Sequence, residues 1–259
     1  MAKVRADVLL VARGLVESRA KARAAIEAGG VTVAGRRIEK PSELIEAEAE
    51  VKAQAAHPWV GRGGLKLVHA LDLWPIAVEG RVVLDVGAST GGFTEVCLAR
   101  GAARVYAVDV GRDQLHPRLA KDPRVVELSA TDARTLTRDQ IAEPPGLVVC
   151  DVSFISLVKA LPAALEIAAP AADLVVLVKP QFEVGREHLG KGAIVKDEAA
   201  RGRALATAVE FLEAAGWQVR EKAESPITGA DGNHEFLVWA TKKAARTDPG
   251  GASSIDRVT

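Results

Sequence analysis

Four side chains scattered along this chain have the types that a proton-transferring site needs: two amines, Lys66 and Lys179, and two carboxylates, Asp151 and Glu235. Lys179 stands where the apolar run Leu174 to Val178 stops, followed by Pro180-Gln-Phe-Glu183. An amine half inside an apolar site gives up its proton more readily, which suits a general base near neutral pH. The competing reading is a lysine that stretches from a strand end into water. Asp151 closes the apolar run Leu147 to Cys150, and Glu235 falls in Gly232-Asn-His-Glu-Phe-Leu237, ahead of another. Taken singly, Lys66 and Glu235 are explained by surface ion pairs. All four nevertheless fall at the ends of predicted elements, where open α/β sheets place their chemistry.

A second pattern concerns a bound small molecule. The run Asp85-Val-Gly87-Ala88-Ser89-Thr90-Gly91-Gly92-Phe93 follows a predicted strand and opens a predicted helix. Glycines there allow a sharp turn and let a ligand approach the main chain. The spacing is not G-x-G-x-x-G, which argues against a nicotinamide dinucleotide. Asp109 ends the following strand, where a carboxylate can hold ribose hydroxyls, and Asp132 follows a later strand, within reach of an adenine. Together they suit a nucleoside-bearing cofactor such as S-adenosylmethionine. The plainer alternative is that Asp85 and Asp109 cap neighbouring turns.

The elements that must carry these residues alternate. Strands are predicted at Arg81–Val86, Arg104–Asp109, Leu147–Asp151 and Leu174–Val178, with a late antiparallel pair at Trp217–Lys222 and His234–Thr241. Helices are predicted at Lys66–Leu73, Phe93–Arg100, Ser156–Ala169 and Ala199–Ala215. This is the signature of a doubly wound, Rossmann-like α/β sheet. Ahead of it, Ala6–Arg13, with Val8, Leu9 and Ala12 on one face, and Arg19–Ala28, capped by Ser18 and stopped by Gly29-Gly30, read as two short helices. A strand and tight turn follow at Val31–Arg37. The expected organisation is a small α+β domain over residues 1–56, a linker over 57–65, the cofactor-binding domain over 66–243 and a mobile tail over 244–259.

Charge supports that division. Met1 to Arg37 carries eight Lys/Arg against three acids, whereas Glu39 to Glu50 holds five glutamates and one lysine. Arg5, Arg13, Arg19, Lys21, Arg23, Arg36 and Arg37 suit phosphate contacts on structured RNA, or else form a solvated basic face. Arg19 and Arg23, four apart, share a helix face. Over the whole 259 residues the formal net charge is +0, which excludes a uniformly basic nucleic-acid coat. The two cysteines build no disulfide framework, no metal site is predicted, and no apolar run reaches membrane-spanning length. The expectation is a soluble cytoplasmic monomer.

Several motifs carry a family resemblance that spans nearly the whole chain except the tail: Gly61-Arg62-Gly-Gly-Leu-Lys66, Leu84-Asp-Val-Gly-Ala-Ser-Thr-Gly-Gly-Phe93, Asp151-Val-Ser-Phe-Ile-Ser156, Lys179-Pro-Gln-Phe-Glu183 and Gly232-Asn-His-Glu-Phe236. In this order they resemble the TlyA family, historically labelled haemolysins and better described as ribosomal RNA 2'-O-methyltransferases. Leu15-Val-Glu-Ser-Arg-Ala20 with Gly29-Gly-Val-Thr-Val-Ala-Gly35 resembles the small RNA-binding domain first described in ribosomal protein S4. The resemblance implies an FtsJ-like catalytic domain whose Lys-Asp-Lys-Glu tetrad falls on Lys66, Asp151, Lys179 and Glu235. It also implies S-adenosylmethionine as methyl donor, and a cytidine in ribosomal RNA or a ribosomal subunit as substrate.

On that reading Lys179 is the base, Asp151 and Glu235 orient it, and Lys66 steers the substrate ribose or phosphate. Phe154 either stacks on an extruded nucleobase or packs in the core. Arg62, Arg186 and Lys191 are further candidate RNA contacts, although a merely solvated loop explains the last two equally well. The alternatives are an RNA-binding regulator that has lost activity, a pore-former in the literal sense of the old label, and a base methyltransferase. The last needs a cysteine nucleophile or a proline-rich loop, and Asp151-Val-Ser-Phe154 has no proline.

Overall fold

The computed structural model describes residues 3–54, 56–229 and 231–242; the predicted mobile tail lies outside them. They form two compact units that meet in sequence between Pro58 and Trp59.

The first unit contains β1 (Lys3–Arg5), α1 (Ala6–Ala12), α2 (Arg19–Glu27), β2 (Val31–Val33), β3 (Arg36–Arg37), β4 (Leu44–Glu46) and β5 (Val51–Ala53). Strand β1 pairs with β4, and β2 lies between β3 and β5, all antiparallel. Ser18 caps α2 as predicted, its side chain accepting from the Lys21 amide at 3.2 Å. The inward face of α1 differs from expectation: Ala6, Leu9 and Leu10 are buried while Val8 and Ala12 are exposed. Leu10, Ile26, Val31 and Ile38 form the centre of this unit's core.

The second unit is built on one seven-stranded sheet. Its elements are α3 (Gly63–Leu73), β6 (Val82–Val86), α4 (Gly92–Ala99), β7 (Arg104–Val108), α5 (Pro117–Ala120), β8 (Val125–Leu128), β9 (Leu147–Cys150), α6 (Leu157–Ala160), α7 (Pro162–Ile167), β10 (Asp173–Val178), α8 (Pro180–Glu183), α9 (Glu198–Ala214), β11 (Trp217–Glu224) and β12 (Phe236–Lys242). The strand order is β11-β12-β10-β9-β6-β7-β8. Strands β6 to β10 run parallel; β12 pairs antiparallel with β10, and β11 with β12.

Successive strand residues enter opposite cores. Val83, Val105, Val149 and Val175 pack with α3 and α4, while Leu84, Tyr106, Val148 and Val176 pack with α7 and α9. Both faces are therefore covered, as the near-continuous apolar strands require. Each fully buried aliphatic side chain contributes about 1.5–3 kcal/mol of transfer free energy. The single helix expected over Ser156–Ala169 is divided at Leu161, because Pro162 has no amide hydrogen to continue the ladder and begins α7 instead.

Two features of the topology place the site. Strand β6 is flanked by β7 on one side and β9 on the other, so the chain's direction of winding reverses between β6 and β9. Such a reversal opens a crevice beyond the carboxyl ends of the strands. On the far side of β9, strands β10 and β12 hold an unbroken register from Asp173 opposite Thr241 to Val178 opposite Phe236. Pairing between β11 and β12 is by contrast interrupted by a register shift between Val219 and Glu221.

Candidate active site

The crevice between β6 and β9 is floored by the glycine turn. Gly87 has φ +82°, and a Cβ there would lie 3.0 Å from the Asp151 carbonyl oxygen, so only glycine lets the two strand ends approach. Gly91 caps α4 at φ +95°, and a Cβ there would collide with the Leu119 side chain. Ser89, also left-handed at φ +48°, donates its amide to Asp109 Oδ2 at 2.7 Å, while the Gly111 amide reaches Asp109 Oδ1 at 2.7 Å. Two main-chain bonds thus hold the Asp109 carboxylate at the cavity wall with acceptor capacity to spare.

Three cavities adjoin in this unit. The largest, about 560 Å³, is lined by Gly87, Ser89, Asp109, Val110, Asp132 and Ile155 among others. A second of about 250 Å³ lies along Gly61, Gly63, Ala88, Thr90, Gly92 and Phe93. The third, about 260 Å³, is bounded by Lys66, Phe154, Lys179, Gln181, Phe182 and Glu235. The first two offer a roomy compartment edged by two carboxylates and a narrow one walled by backbone, which fits a nucleoside joined to an amino-acid chain. The third suits a nucleotide presented from outside.

Not every predicted cofactor residue faces this space. Asp85 is fully buried beneath the turn and lines none of the three cavities. Its Oδ2 accepts from Thr94 Oγ1 at 2.6 Å and its Oδ1 has no partner. Burial pushes its carboxyl up to about 7, against the opposing pull of the Thr94 bond. Asp85 is therefore a support for α4, placed behind the ligand cleft. Asp132 lines the large cavity, but its side chain also caps the turn at Ala133–Thr135 and pairs with Arg134 at 2.5 Å, which holds it below the usual carboxylate range.

The tetrad is assembled as two pairs. Antiparallel register sets Val178 opposite Phe236, so the residue after β10, Lys179, and the residue before β12, Glu235, fall at the same end of the sheet. Lys66 enters from α3 and bonds Glu235 Oε2 at 2.5 Å, both side chains buried. Lys179 Nζ lies 2.6 Å from Asp151 Oδ1. Glu235 thus pairs with Lys66, and no hydrogen bond or ion pair joins it to Lys179 among the described residues, contrary to the expectation that it orients that lysine. What Lys179 does contact is Ser153, to whose Oγ it donates at 2.8 Å. The sequence alone gives Ser153, inside the Asp151–Ser156 motif, no role. Gln181, buried with its Oε1 unpartnered, also went unnoticed, since nothing in the string distinguishes it from a core amide.

The remaining predicted contacts separate cleanly. Phe154 is 90% exposed with φ +65°, its ring centroid 5.2 Å from that of Phe182, which rules out the core-packing reading. Glu183, whose carboxyl is raised by burial, accepts from the Leu157 amide at 2.9 Å and fastens the far end of the Phe154 loop. Arg62 lines the two smaller cavities and donates to the Thr228 carbonyl at 2.8 Å. Arg186 and Lys191 are exposed on short turns and line none of the three cavities.

In the first unit, Arg5 and Arg19 clasp the buried Asp7 at 2.9 and 2.7 Å. The Arg5 bond, seconded by Arg19, holds that carboxyl far below its usual range. Lys21 pairs with Glu17, Arg36 with Glu43, and Arg13 bonds main-chain carbonyls, whereas Arg23 and Arg37 make no ion pair among the described residues. Cys97 and Cys150 are buried, and burial raises both thiols. No group of three or more His, Cys, Asp or Glu able to hold a metal, and no helix long and apolar enough to cross a membrane, is found among the described residues.

Comparison with known proteins identifies the family of each unit. Residues 59–242 match the family described as FtsJ-like methyltransferase, and residues 4–51 match the S4 domain. The chain is 45% identical over 94% of its length to the 16S/23S rRNA (cytidine-2'-O)-methyltransferase TlyA of Mycobacterium tuberculosis, covering 92% of that protein. It is 37% identical to Hemolysin A of Brachyspira hyodysenteriae, over 90% of this chain and 98% of the other. A solved Streptococcus thermophilus structure, provisionally titled a hemolysin, superimposes with a TM-score of 0.75 at 41% identity, covering 95% of this chain and 90% of that one.

Proposed function

Because this chain belongs to the TlyA family of FtsJ-like methyltransferases, we propose that it transfers the methyl group of S-adenosylmethionine to a ribose 2'-hydroxyl of a cytidine in ribosomal RNA. The observation that carries the reading is the position of Lys179 at the junction of the cavities, lining both the glycine-walled compartment and the outer one. A ribose hydroxyl is a weak nucleophile, so catalysis consists of alignment and removal of one proton. S-adenosylmethionine supplies, when bound, an electrophilic methyl on a sulfonium with a good leaving group.

Gly87, Ser89, Asp109 and Asp132 would hold it in the roomy compartment and the narrow one beside it. Lys179 Nζ takes the hydroxyl proton and leaves the O–H electron pair on the ribose oxygen. Asp151 supplies negative charge that stabilises the ammonium so formed. The Lys66–Glu235 pair walls the outer cavity and presents an amine toward ribose or phosphate. Phe154, held out on its loop against Phe182, stacks on the target base. The unit before residue 57 binds structured RNA as a positioning device, Arg23 and Arg37 being its uncommitted charges, and the enzyme works as a cytoplasmic monomer. Neither raised, buried thiol suits a cysteine-based mechanism of base methylation.

The test is to map ribose methylation on ribosomal RNA from cells with and without this gene, beside methyl transfer by the purified chain to rRNA fragments. Loss of a cytidine 2'-O-methyl mark on deletion, restored by the wild-type chain and not by Lys179→Arg, is the expected result. An unchanged methylation map overturns the proposal.

A further inference from the structure

A base must keep a lone pair free and aimed at its target. A neutral primary amine has two N–H groups and one lone pair, so two acceptors that fix its N–H bonds also fix where the lone pair points. Asp151 is the obvious acceptor, yet its Oδ1, although 2.6 Å from Lys179 Nζ, receives no aligned hydrogen bond. Asp151 acts on Lys179 through charge. The aligned bond of Nζ among the described residues runs to Ser153 Oγ.

We infer that Ser153 is the positioning residue for Lys179, an inference resting on the reading of Lys179 as the base. Lys179 is otherwise enclosed, 8% exposed at the end of a buried strand, whereas Ser153 stands exposed in the cleft and lines all three cavities. Its oxygen anchors one N–H and the negative charge of Asp151 draws the other, which leaves the lone pair the remaining direction about the Cε–Nζ bond. The Ser153 hydroxyl hydrogen donates to no protein group among the described residues and is left to meet the incoming ribose. Ser153 therefore does the orienting that sequence alone assigned to Glu235. Because the side chain is small and exposed, removing its oxygen opens no core cavity, and a rate effect reports on the amine rather than on the fold.

The experiment is single-turnover methylation of an rRNA fragment by the full chain at saturating S-adenosylmethionine and RNA, with both affinities measured alongside. Ser153→Ala should slow the methyl-transfer step by about tenfold, as expected when one aligning bond is lost. Its affinities for cofactor and RNA should stay within about twofold of wild type, because the contact matters to the chemical step and little to ground-state binding. Ser153→Thr, which keeps the hydroxyl, should recover most of the rate. An alanine variant that turns over normally, one that loses only affinity, or a threonine variant as slow as alanine overturns the inference. Lys179→Arg run in parallel separates the two readings: if it stays active the base assignment falls, whereas an inactive Lys179→Arg beside a normal Ser153→Ala removes Ser153 alone.

Discussion

Two lysine–carboxylate pairs stand in one cleft and are built differently. Lys66 and Glu235 are joined by an aligned bond, with side-chain exposures of 8% and 2%. Lys179 and Asp151 are in charge contact off the hydrogen-bond line, and Asp151 is 18% exposed. The first pair is closed by its own aligned bond, and a buried ion pair of that kind is costly to break. The second leaves its amine answerable to whatever enters the cleft. Identical chemical groups thus become a strut in one place and a reagent in another, according to whether the carboxylate takes an aligned hydrogen bond from its lysine.

That contrast breaks first at Lys179. Lys179→Arg keeps the charge but stays protonated, so single-turnover methylation should fall by about 10²–10⁴-fold with cofactor affinity retained. Glu235→Gln should act mainly on stability: it leaves the Lys66 ammonium buried and uncompensated, at a cost of about 3 kcal/mol read from denaturant unfolding. The double variant Lys66→Met with Glu235→Leu should recover much of that loss while remaining a poor methyltransferase. If Glu235→Gln unfolds like wild type, the strut reading is wrong.

A third carboxylate sharpens the same comparison by pH. Asp85, with no cation beside it, has its folded-state carboxyl raised to about 7, so the native state binds more protons than the unfolded chain between roughly pH 4 and 7. Its contribution to stability is fully present below that window and is lost as pH rises through about 7. Asp85→Asn should remove this loss, so its melting temperature should gain on wild type from pH 5 to 8 and then level off. A constant gap over that range would show that Asp85 does not titrate with folding.

The smallest expected effect lies in the first unit, where paired and unpaired charges again differ. Arg23→Glu should lower RNA affinity and flatten its dependence on log salt by about one unit, the share of one phosphate contact. Arg19→Glu should instead destabilise the unit, since Asp7 loses one of its two clamps. Equal melting temperatures for the two variants would contradict the assignment.

What the amino-acid string disclosed follows from range. The glycine turn, the Ser18 cap, the alternation of strands and the order of the tetrad are all carried by neighbours within a few residues. The pairings are not: Lys66 and Glu235 lie 169 residues apart, and only the register of β12 against β10 decides that Glu235 meets Lys66 and leaves Lys179 to Ser153. For the same reason Arg19 reads in the sequence as a free RNA contact, whereas the fold sets Asp7 between it and Arg5. Phe154 could not be decided either, because an aromatic residue two positions from a serine has no periodicity to say whether it turns inward.

The unbroken pairing of β10 with β12, set beside the shifted pairing of β12 with β11, makes the tolerance of this sheet to insertions and deletions unequal. One residue gained within β12 would exchange its two faces and carry Glu235 away from Lys66, because strand side chains alternate with a period of two. One residue gained in β11 near Val219 meets an edge strand that already accommodates an irregularity. Length variation among descendants of this sequence should therefore collect on the β11 margin, and the interval from Lys179 to Glu235 should change only through the loops that join their strands.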